Sequence, residues 1–98
     1  MKIHELRCDP QPFGEILAQK KKFELRKNDR MFNEGDLLHL RETVLSRAEL
    51  DHIGGKVEYT GREIVASVLS VLHGPVYGIA EGWVVMSISP LVADMPKA

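Results

Sequence analysis

The spacing of apolar and polar residues changes period several times along the 98 residues. The opening MKIHELRC supplies a first extended segment, and DPQPFGEILAQ, residues 9–19, then takes a helical period. Asp9 suits the N-cap and Pro10 the first helical position, while Phe13, Ile16 and Leu17 share one face. Gly14 weakens that helix. At KFELR the period drops to two, so Phe23 and Leu25 point one way and Lys22, Glu24 and Arg26 the other. Asn28 and Asp29 supply turn chemistry, and MFNEGD makes a second turn ending at Gly35.

DLLHLRE, residues 36–42, reads as a strand with Leu38 and Leu40 on one face and Leu37 and His39 on the other. In TVLSRAELDHIGG, Ser46 and Glu49 have capping-box spacing and Gly54 suits a helix end; a long hairpin loop is the alternative. YTGR at 59–62 reads as a turn, REIVASVLSVL as a β-rich run, HGPVYG at 73–78 as irregular and WVVMSI at 83–88 as a strand. The tail PLVADMPKA reads as loosely held. Five or six short strands with one early helix predict an α+β fold, a small, mostly antiparallel β-barrel, in a single domain over residues 1–98.

Composition sets the class. With 44% apolar and 28% charged residues, the chain is expected to be globular. The nearly apolar run IVASVLSVL is too short for a membrane helix, and the charged N-terminus lacks a signal peptide's apolar stretch, so no membrane association and a cytoplasmic location are expected. Cys8 cannot form an internal disulfide and reads as a buried small apolar residue rather than a nucleophile. His4, His39, His52 and His73 lack metal-ligand spacing, and no glycine-rich phosphate loop precedes a helix, so neither metal nor cofactor is expected.

Charge is unevenly placed. KKKFELRKNDR, residues 20–30, carries +4 in a chain whose total is −1, leaving −5 on the remainder. Lys20, Lys21, Lys22, Arg26, Lys27 and Arg30 can draw an anionic ligand, or they can be a solvated strand and turn. Within this stretch Glu24 and Arg26 share one strand face and Lys21 lies just ahead of it. An acid held beside two cations ionises readily and orients them, and the cations can then grip a phosphate or a carbonyl oxygen. A ladder of surface ion pairs is the bland alternative.

The segment AQKKKFELR resembles the motif of the ASCH domain family of the PUA-like superfamily, G-x-K-x-x-E-x-R, with Lys21, Glu24 and Arg26 on its lysine, glutamate and arginine. Gln19 stands where the motif has glycine. IHELR, FELRKNDRMFNEGDLLHLRE, YTGRE and GIAEGWVVMSI further resemble the small bacterial and phage proteins of domain-of-unknown-function family 3850, with TVLSRAELDHIGGKV looking like an insertion. The resemblance implies a PUA-like β-barrel with a cleft beside the early helix that holds RNA or a modified base.

One ASCH branch hydrolyses 4-acetylcytidine with a lysine, a threonine, an arginine and a later glutamate, and another is described as a ribonuclease. Lys21 and Arg26 fall on that lysine and arginine, Glu24 replaces the threonine, and Glu63 and Glu81 are candidates for the glutamate by order alone.

Three functions are therefore expected to compete. The first is binding of RNA, or of a nucleoside or nucleotide ligand, in a cleft lined by Lys21, Glu24 and Arg26, with the flanking cations on phosphates. The second is catalysis by the same three residues, as an amidohydrolase or ribonuclease. The third is a protein-interaction role that no sequence feature supports. Tyr77, in a Gly-Pro loop, is the expected base-stacking residue, whereas Trp83, opening an apolar strand, is expected in the core. Asn28, Asp29 and Arg30 read mainly as a turn, and His4 and Arg7 lie near the same cleft or in packing roles.

Overall fold

In the computed structural model, residues 1–94 are described. The order is β1 (Ile3–Cys8), α1 (Pro10–Leu17), β2 (Phe23–Lys27), β3 (Leu37–Thr43), α2 (Arg47–Ile53), β4 (Tyr59–His73) and β5 (Trp83–Asp94). One five-stranded sheet, ordered β1-β3-β4-β5-β2, curls into a half-barrel, an α+β fold with only the β1–β3 pair parallel. No helix among these residues is long and apolar enough to cross a membrane.

Strict alternation explains the core. His4, Leu6 and Cys8 of β1, Leu38 and Leu40 of β3, Ile64, Ala66 and Val68 of β4, and Val84, Met86 and Ile88 of β5 all turn to the concave side. Phe13 and Ile16 of α1 close that side from above and Phe32 fills its end, so the fold is held chiefly by apolar area withdrawn from water.

Two readings need correction. YTGR is not a turn: β4 already begins at Tyr59, and Gly61, at φ +94, absorbs an irregularity inside the strand, opposite the register shift between Arg41 and Thr43. The tail is not loose from residue 90, because Pro90, Val92, Ala93 and Asp94 pair with β4; residues 95–98 lie outside the described part. The irregular 73–78 segment is a turn in which a Cβ on Gly74 would run into the Ala80 carbonyl oxygen. Ser46 and Glu49 do form a capping box, making α2 a helix.

β1 and β2 are the ends of the sheet, and the open side of the half-barrel lies between them. Arg26 Nη2 donates to the Arg7 carbonyl at 2.7 Å and Arg30 Nη1 to the Glu5 carbonyl at 3.0 Å. The free edge of β1 is thereby occupied by side chains in place of a neighbouring strand.

Candidate functional site

The seam between the edge strands opens into a cleft of about 970 Å³. Its position follows from the fold: β1 and β2 have no neighbour on this side, and α1 and α2 stand at its end, so the residues lining it come from both faces of the sheet. Glu24 is at its centre. The alternation of FELR separates two faces without saying which one turns inward; the structure turns Glu24 in, at 3% exposure, and leaves Phe23 and Leu25 outside.

A buried carboxylate is tolerated only when paired and hydrogen-bonded. Lys21 Nζ donates to Glu24 Oε1 at 2.9 Å and Arg26 Nε to Oε2 at 2.8 Å, so each oxygen holds a different cation. The Lys21 ammonium also lies 5.2 Å from the centre of the Phe23 ring. Lys21 gets its direction from the end of α1. Gln19, at φ +60, is left-handed, and the amides of Lys20 and Lys21 both reach back to the Glu15 carbonyl while that of Gln19 reaches Ile16. This is a Schellman turn, and its left-handed position is the one glycine normally takes.

Cys8 lies in the floor of the cleft. Burial and the nearby Glu24 carboxylate push its thiol up to about 12, which removes it as a thiolate nucleophile. Thr43 Oγ1 donates to the Leu45 carbonyl at 2.7 Å beside it. Residues 43–57 build the far wall with Leu45, Arg47, Leu50 and Val57. Asp9 holds that wall by accepting from the Arg47 amide at 3.0 Å, and this replaces the side-chain cap of α1 expected of it.

The basic stretch is divided by the fold. Lys21, Arg26, Lys27 and Arg30 line the cleft, Lys21 and Lys22 line a neighbouring cavity of about 510 Å³, and Lys20 lines neither. Asn28 makes the turn, its side chain accepting from the Phe32 amide at 3.1 Å. Six cationic and four acidic side chains face the cleft, so the positive excess is local on a chain of total −1.

The two aromatics stand differently toward the cavities than their sequence positions suggest. Tyr77 sits at a turn tip, 89% exposed, and lines neither cavity. Trp83 is not core: it follows Gly82 with an outward side chain, Val84 takes the core position, and the indole lines the cleft at 39% exposure. Tyr59, whose ring carries the Arg41 guanidinium at 3.8 Å, is a second aromatic wall that the sequence did not reveal. An outward parity next to a paired Lys27 was the available signal for Trp83.

Other candidates lie elsewhere. Glu63 belongs to an outer ladder with His39, at 3.0 Å, and Arg41, at 3.3 Å, and neither it nor Glu81 lines the cleft. His4 is buried against Asp36 at 2.9 Å and packs edge-on to Phe32, pinning the loop that follows β2. Among the described residues no group of three or more His, Cys, Asp or Glu is placed to hold a metal ion.

A family model described as "Domain of unknown function (DUF3850)" matches residues 3–88. The chain belongs to that family. The matched span runs from the first residue of β1 into β5 and contains every side chain that lines the cleft, so the seam site is part of the DUF3850 domain itself. The neighbouring cavity extends beyond it, through Ser89, Pro90 and Leu91. A search of curated proteins finds no match to the chain.

Proposed function

We propose that this DUF3850 domain binds RNA or a modified nucleoside in the seam cleft, in the manner of the ASCH and PUA-like domains its Lys21–Glu24–Arg26 motif resembles. One observation carries the reading: Glu24 is divided between Lys21 and Arg26, which leaves both cations oriented toward a cavity of nucleotide-accepting size with donor groups unspent. An ammonium and a guanidinium so held can donate to the oxygens and ring nitrogens of a base, or to phosphate. Lys21 is engaged as a hydrogen-bond donor to Glu24, an arrangement that suits binding better than nucleophilic attack.

The test is equilibrium binding of single-stranded RNA and of nucleosides, 4-acetylcytidine included, at low salt. Wild-type protein is expected to bind with an affinity that falls steeply as salt is added, and Lys21→Ala with Arg26→Ala to lose at least tenfold in affinity, in line with about 1.5–3 kcal/mol for each hydrogen bond to a charged group. No binding at low salt, or equal binding by the double variant, would end this reading. Chromatography of the incubated ligands closes the remaining question, since conversion that depends on Lys21 would make the domain an enzyme.

A further inference from the structure

We propose that the cleft selects a phosphorylated ligand, seating a phosphate on the paired guanidiniums of Arg26 and Arg30 and stacking its base on Trp83; the inference rests on the reading above and narrows it from nucleosides to nucleotides and nucleic-acid strands. The guanidiniums are held by the backbone of the opposite edge strand. Arg26 Nη2 and Arg30 Nη1 donate to the carbonyls of Arg7 and Glu5, two residues apart on β1, which sets the two groups side by side at roughly 7 Å. Arg26 is fixed a second time through Nε on Glu24.

Neither group is used up by these contacts. Arg26 Nη1, and Arg30 Nε and Nη2, have no protein acceptor among the described residues, and both side chains line the cavity. The other arginines with ion pairs are differently placed: Arg41 holds Glu5 and Glu63, Arg62 holds Glu42, and Arg47 holds Asp51. Among the described residues Arg30 has no carboxylate partner, although Asp29 is next to it in the chain and also lines the cleft. Preorganised guanidiniums with unspent, outward N–H groups match the fork geometry of phosphate oxygens.

Trp83 completes the site. It lies opposite Lys27 in the β2–β5 register, lines the same cavity and is fixed at its backbone, its amide donating to the Ala80 carbonyl at 3.1 Å and its own carbonyl accepting from Gly74 at 2.9 Å. An indole lining a cleft presents a face on which any base can stack. The seam is poorly suited to an added peptide strand, because the carbonyls such a strand needs on β1 are already taken by Arg26 and Arg30.

Trp83 is the chain's one tryptophan, so its emission reports on the site directly. The experiment titrates wild-type protein at low salt with the four nucleosides, their 5′-monophosphates and a ten-residue single-stranded RNA. At least one monophosphate, and the RNA, are expected to quench the emission and to bind ten times or more tightly than the matching nucleoside. Arg30→Gln is expected to reduce that preference about tenfold. Arg30→Lys, which keeps the charge but not the fork, is expected to restore it only in part.

By calorimetry Trp83→Ala is expected to weaken every ligand about tenfold or more, and Trp83→Phe by much less. Equal affinity of nucleosides and monophosphates in wild-type protein overturns the phosphate seat while the cleft reading stands. Unchanged emission and an unaffected Trp83→Ala variant overturn the stacking role. A protein that binds none of the probes overturns the cleft reading itself.

Discussion

Glu24 and Glu42 are both buried carboxylates gripped by an arginine, yet of the two only Glu24 lines the seam cleft or the cavity beside it. Glu42, 4% exposed, receives Arg62 through Nε and Nη2 and the Thr60 hydroxyl at 2.7 Å, while the Arg62 guanidinium lies 5.2 Å from the Phe13 ring centre. The Arg62 guanidinium and the Thr60 hydroxyl hold its carboxyl below the usual carboxylate range against the opposing effect of burial. Glu24 has the same burial, but its two oxygens go to two cations, each of which keeps donors for something else. A buried acid with a basic partner is therefore not in itself the mark of a site; donor capacity left over and directed into open space is.

The comparison can be broken by deleting each acid in turn. Glu42→Ala leaves a guanidinium and a hydroxyl without their acceptor beside the core, and is expected to cost about 3 kcal/mol of stability, with ligand affinity of the folded protein unchanged. Glu24→Ala exposes its two cations to a cleft that water can enter, and is expected to cost about 1–2 kcal/mol while abolishing the ordered arrangement proposed to bind. Urea unfolding and ligand titration on both variants check this. Equal stability losses, or an affinity loss at Glu42 as large as that at Glu24, would mean the two pairs do the same job.

A third buried carboxylate sharpens the contrast by pH. Asp36 accepts from the amides of Lys2 and Asn33 and is bonded to His4, contacts that bring it from the ordinary 3.8 down to about 2. Because its folded value is depressed, its contribution is fully present above the unfolded value and is lost as pH falls from about 3.8 toward 2. That contribution is on the order of 1 kcal/mol. Unfolding midpoints measured between pH 5 and pH 2 are expected to fall through this window, and less so in Asp36→Asn, whose stability at pH 5 is already lower. Glu42, lowered by Arg62 and Thr60, adds to the same slope, so Glu42→Gln is expected to flatten it further.

How far the sequence revealed this molecule depended on whether a local pattern or a long-range contact set the outcome. Element type was legible wherever periodicity acts within a few residues, α1 from its apolar face and β3 and β5 from alternation, whereas the capping-box spacing of Ser46 and Glu49 left α2 open against a hairpin loop. YTGR was misleading because a glycine with positive φ serves a strand irregularity as readily as a turn. The Lys21–Glu24–Arg26 cluster was legible because its members lie within one turn and one strand. Arg30 and Arg7 meet it only through the seam between β1 and β2, a juxtaposition of sheet edges that no spacing encodes. Trp83 was misassigned because apolar neighbours suggest burial, whereas strand parity puts Val84 in the core and the indole at the cleft.

The smallest effect concerns how Lys21 is aimed. Gln19 holds the left-handed position of the Schellman turn that ends α1, where the motif it resembles has glycine. A non-glycine residue there is strained by roughly 1 kcal/mol or a little more, so Gln19→Gly relieves that strain but gives back about 0.4–1 kcal/mol through the greater freedom of the unfolded chain. The net gain expected is a few tenths of a kcal/mol, with no change in affinity, because the turn and hence the direction of Lys21 are already in place. Gln19→Val is expected to lose about 1–2 kcal/mol, since a β-branched residue tolerates this backbone poorly. Thermal unfolding and ligand titration on both variants decide the matter. An affinity gain in Gln19→Gly beyond its stability gain would show that the glutamine side chain obstructs the ligand, and would extend the difference between Glu24 and Glu42 to the turn that delivers Lys21.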